Sequence, residues 1–69
     1  MKITYDKKAD AAYIYLTNKK NIKPHSQIEA DLYDINLDLD KEGKILGIEI
    51  LEASSRLPKS LLEKLLKNN

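Results

Sequence analysis

The chain has no cysteine, which excludes disulfide staples, thiolate zinc sites and cysteine nucleophiles together and is compatible with the cytosol. It has a single arginine, Arg56, and a single histidine, His25. Bidentate contacts to phosphate and guanine lean on arginine, so direct nucleic-acid readout is disfavoured. His25 lies in a polar, proline-containing stretch with no visible partners for catalysis or ligation, and it reads as a surface histidine. Net charge is also small, at 12 basic against 11 acidic side chains, so no global field recruits nucleic acid or anionic lipid. No uncharged run is long enough to span a bilayer, and the opening MKITYDKKAD carries no apolar run of secretory length. The expectation is a cytoplasmic protein with no membrane association.

What is present is alternation. With 69 residues the chain makes one domain, near the lower limit for a self-sufficient hydrophobic core, so a large enclosed active site is not expected and oligomerisation is. The segment KITY, the polar interval DKKAD and then AAYIYL read as a β-hairpin. The stretch TNKKNIKPHSQ, with its paired lysines Lys19 and Lys20 and with Pro24, reads as loop or edge strand, with a short extended piece over residues 25–29. In YDINLDLD, Tyr33, Ile35, Leu37 and Leu39 alternate with Asp34, Asn36, Asp38 and Asp40, the pattern of a strand with one wet face. KILGIEIL then places Leu46, Ile48 and Ile50 on one side. A hairpin brings the two apolar sets together with Leu37 opposite Leu46 or Ile48, and either register implies an even-numbered loop with Gly43 at positive φ.

The tail changes period. Leu57, Leu61, Leu62, Leu65 and Leu66 form a helical stripe opposite Lys59, Ser60, Glu63, Lys64 and Lys67; Pro58 suits the first turn and Asn68 the end. A helix this short does not persist alone in water, so it must dock. The fold class expected is α+β: an antiparallel, mostly meandering sheet of four or five strands over residues 2–51, with one C-terminal helix over residues 58–67 packed on one face.

Residues 38–49, DLDKEGKILGIE, resemble a calcium loop in spacing, with acidic groups at Asp38, Asp40, Glu42 and Glu49 around Gly43. An EF-hand needs helices on both sides of such a loop, and the flanks here are strand-like, so a hairpin is the reading. Asp34, Asp38 and Glu49, with Asn36, share the outer face of two neighbouring strands and form a candidate hard-cation or acid–base site, against the simpler reading of a solvated strand face. On the face pointing away from the helix, Tyr13, Tyr15, Ile45, Gly47 and Leu51 make a candidate interface, against the simpler reading that a tyrosine covers the backbone at Gly47. No cofactor is indicated by any motif.

The pair ITYDKKADAAYIYL and LDLDKEGKILGIEILEAS resembles the YuzE-like bacterial family, domain of unknown function 2283. Tyr5, Asp6, Ala9, Asp10, Ala11, Tyr13, Ile14 and Leu16 match its first motif, and Asp38, Asp40, Gly43, Gly47, Ile48, Glu49, Ile50 and Leu51 its second. Lys7 stands where many relatives carry proline. The resemblance implies a small α+β domain with no catalytic residues to carry over, and, since some relatives occur beside small toxin-like proteins, an antitoxin-like partner role. The functional expectation is a protein-interaction module, as a homodimer or with a small protein partner, more than an enzyme; the alternative is a metal-binding or minor enzymatic role on the acidic sheet face.

Overall fold

The computed structural model describes residues 2–18, 23–31 and 34–67. The expectations placed on Lys19, Lys20, Tyr33 and Asn68 lie outside these residues. Five strands form one antiparallel sheet: β1 (Lys2–Asp6), β2 (Ala11–Tyr15), β3 (Ser26–Asp31), β4 (Ile35–Leu39) and β5 (Ile45–Leu51), in the spatial order β1-β2-β5-β4-β3. A hairpin and a three-stranded meander are thus joined along the β2–β5 seam. No helix among the described residues is long and apolar enough to cross a membrane.

The first turn follows from aspartate chemistry. The Asp6 carboxylate accepts the Lys8 and Ala9 amides at 3.0 and 3.3 Å, an Asx-type turn. Asp10 then takes φ 51°, a left-handed conformation that aspartate tolerates better than most residues.

The β4–β5 hairpin pairs Leu37 with Ile48, one of the two registers expected, but its loop is not even-numbered. The pairing slips between Asp38 and Leu39, so that Asp38 faces Gly47 while Leu39 faces Ile45. This bulge absorbs the extra residue, and the turn closes with Asp40 N–H donating to the Lys44 carbonyl at 2.9 Å and Gly43 N–H to that of Asp40 at 3.0 Å. Gly43 has φ +84°, giving a type I turn followed by a left-handed glycine, a three-residue hairpin loop. The Asp40 carboxylate is spent on the Glu42 and Lys44 amides, both at 2.9 Å. Strands bracket Gly43, as the hairpin reading required.

Two helices follow where one was expected. After Glu52, at φ 51°, comes α1 (Ala53–Arg56), containing Ser54 and Ser55, and then α2 (Lys59–Lys67). The Asp10 carboxylate accepts the Ser54 amide at 2.9 Å and the Ser54 hydroxyl at 2.6 Å, so a residue from the first turn caps α1 from a distance. Tyr5 donates to the same carboxylate at 2.7 Å, and the Ala53 amide donates to the Asp10 carbonyl at 2.9 Å. These bonds hold the Asp10 carboxyl below its ordinary range, with the Ser54 hydroxyl the largest cause, and raise the Tyr5 phenol.

The core is thin. α1 lies against β2 and β5, and α2 against β1 and α1. Among the described residues the fully enclosed apolar positions are two alanines, Ala12 and Ala53. Leu65 is the most buried leucine, at 9% exposure. The result is a slab of 35 × 27 × 19 Å.

Candidate functional site

Cross-strand register decides which residues share a face. On the first face, Tyr13 pairs with Glu49, Tyr15 with Gly47, Asn36 with Glu49, Asp38 with Gly47 and Gln27 with Asp38. The expected interface residues Tyr13, Tyr15 and Gly47 are therefore assembled with the acidic residues Asp38 and Glu49. The Tyr13 ring lies across Gly47, where a Cβ would overlap Cε1, Cζ and Oη of the ring. The tyrosine covers bare backbone, and Gly47 is buried. Tyr15 stands edge-on to Tyr13 with centroids 4.6 Å apart, and the Lys2 ammonium sits 5.5 Å from the Tyr15 ring centre, a cation–π distance. Ile45 is exposed and Leu51 half-buried at the two ends of β5.

The acidic residues do not converge on one donor set. Asp38, only 7% exposed, accepts the Tyr13 hydroxyl at 2.6 Å on one oxygen and the Gln27 amide at 2.9 Å on the other. Glu49 accepts the Asn36 amide at 3.0 Å. Asp34 lies 3.9 Å from the Arg56 guanidinium, and its carbonyl accepts the Leu51 amide at 2.7 Å. Among the described residues no group of three or more His, Cys, Asp or Glu side chains is placed to hold a metal ion. His25 is exposed, and its amide closes the end of the β3–β4 ladder onto Leu39 at 2.8 Å. Sequence reading missed Gln27 as a partner of Asp38 and Asp10 as the clamp on α1; both depend on registers that join segments distant in the chain.

Burial, and next the bond to Asp38, lift the Tyr13 phenol well above its ordinary 10.0. The folded chain holds this proton more tightly than the unfolded chain, so the associated stability is intact below pH 10.0 and is lost as the pH rises from there toward the folded value. In a spectrophotometric tyrosinate titration, the last-ionising tyrosine is expected to disappear in Tyr13→Phe, with a shallower alkaline loss of stability. A Tyr13→Phe titration that keeps the last-ionising step and loses its amplitude from the ordinary tyrosine range would show that Tyr13 is not so held.

The opposite face is apolar. It carries Ile3, Ile14, Ile48, Leu37 and Ile28 in one cross-strand row, and the helices sit toward its β1–β2 side. Even so, Ile48 on the central strand is only half-buried, as are Leu37, Leu39 and Leu46. Ile28 is 50% and Leu16 43% exposed. Leu16 and Leu46 are joined by a Leu16 amide to Leu46 carbonyl bond of 2.9 Å. Leu16, just past the end of β2, is open to solvent. A connected aliphatic patch of this kind is what a monomeric domain ordinarily covers.

Among curated proteins and among solved structures, none matches the chain. A family model does, over residues 2–54, a span that holds all five strands, the Asp10–Ser54 clamp and both sequence motifs and stops short of α2. The chain belongs to the family described as Protein of unknown function (DUF2283).

Proposed function

We propose that this protein is a protein-interaction module, and that its working surface is the aliphatic side of the sheet. The observation that carries this reading is Ile48, on the middle strand of five and still half-exposed within a patch that includes Ile28 and Leu16. In a finished core a central-strand isoleucine is enclosed; leaving it wet forfeits about 25 cal/mol per Å2 of apolar area. The tyrosine face supports the reading less well, because Tyr13 is already committed to Gly47 and Asp38. The partner takes one of two forms, a second copy or a small protein bound in an antitoxin-like manner.

Hydrodynamic mass, together with the fluorescence of anilinonaphthalene sulfonate, an apolar-surface dye, tests this. The expected result is either an assembly heavier than one chain or a folded monomer that binds the dye and loses most of that signal in Ile28→Glu. A folded monomer that leaves the dye dark has no open apolar face, and the reading fails.

A further inference from the structure

Resting on that reading, we infer that the occupant of the aliphatic face is a second copy of this chain, docked face to face about a two-fold axis that runs along the strands. The first argument is area. The chain exposes 5368 Å2, whereas a folded monomer of 7.9 kDa is expected to expose about 4,400 Å2. The excess over the whole chain, roughly 1,000 Å2, leaves room for an interface of the ~800 Å2 that each partner contributes to a standard complex. The Cα radius of gyration of 12.2 Å likewise exceeds the ~11 Å of a compact chain of this length.

The second argument is shape. The helices lie against β1, β2 and β5, with α2 on β1, while no helix contacts the β4–β3 half among the described residues. Rotation by a half-turn about an axis parallel to the strands sets the helix-bearing half of one copy over the β4–β3 half of the other. The surface is then self-complementary, the requirement for an isologous pair. Leu66 on α2, itself exposed, would rest on the partner's row of Leu37 and Ile28. A helix left with an outward leucine and a sheet left with an uncovered row are then two halves of one contact.

The third argument is charge. The described side chains of the patch, Leu16, Ile28, Leu37, Leu39, Leu46 and Ile48, carry none. The whole chain has a net charge of only +1, so two copies approach without appreciable repulsion. A partner of strong charge gains nothing from this face.

Sedimentation equilibrium on the full chain tests the inference, with the same dye as a second readout. The expected mass is that of two chains, with the dye excluded. Ile28→Glu and Leu66→Glu, both at exposed positions that tolerate the change in a folded monomer, should each raise the dimer dissociation constant about tenfold or more, because each inserts two buried charges per dimer. Tyr15→Ala, on the other face, should leave it unchanged. A parent chain that is monomeric at 100-micromolar concentrations and binds the dye would overturn the second copy and leave the interaction reading standing. A dark monomer would remove both. A dimer indifferent to Ile28→Glu and Leu66→Glu, or one that yields to Tyr15→Ala, would place the contact elsewhere and overturn the inference.

Discussion

Gly47→Ala is expected to destabilise the fold by about 1–3 kcal/mol, although alanine is ordinarily the better strand residue by about 0.5–1 kcal/mol. The added methyl would occupy the space of the Tyr13 ring edge. The ring can swing aside, but its hydroxyl then leaves Asp38, a carboxylate that is nearly enclosed. At roughly 4–8 °C per kcal/mol for a domain of this size, a thermal melt resolves the effect. The decisive measurement is the double-mutant cycle: in a Tyr13→Ala background the same Gly47→Ala change should be neutral or mildly stabilising, because the ring atoms nearest the methyl are gone. Equal costs in both backgrounds would mean that the ring over Gly47 is not what the position is built around.

Leu65→Ala should cost more, about 2–5 kcal/mol, the range for removing a buried leucine side chain. Leu65 is the buried residue of α2, and a helix of nine residues does not persist without its docking contact. Total stability at this length is on the order of 3–10 kcal/mol, so the loss is a large share of it. Far-ultraviolet circular dichroism should show helical signal falling before the sheet melts, while Lys64→Ala stays within about 0.5 kcal/mol of the parent. If Leu65→Ala melts with the parent's midpoint and helical content, α2 is not held by that side chain.

Residues whose role depends on their own segment were legible in the sequence. The alternation around Leu37 and Ile48 announced strands with one apolar face, Gly43 announced the turn, and the leucine stripe announced α2. The loop length was misjudged because a bulge at Asp38 and Leu39 trades one residue between ladder and turn, and bulges leave no mark in binary patterning. α1 was missed because four residues, ASSR, are too few for periodicity to register. The candidate site was half legible. Parity grouped Tyr13 and Tyr15 with Gly47, and Asp38 with Glu49, but not the two sets on one face, nor that Tyr13 donates to Asp38, since that bond crosses the β2–β5–β4 arrangement and needs the strand order. The aliphatic face was expected beneath the helix. Only the placement of α2 against β1, with no helix contact to β3 or β4 among the described residues, shows how much of it the helices leave uncovered.

The strand order also bears on how the chain comes off the ribosome. The middle strand of the sheet is the last of the five to be synthesised, so until it arrives the hairpin and the β3–β4 pair have their inner edges open. Such edges are templates for misplaced pairing between nascent chains. The arrival of residues 45–51 completes both pairings, so every contact that joins the two halves of the sheet depends on the last strand made.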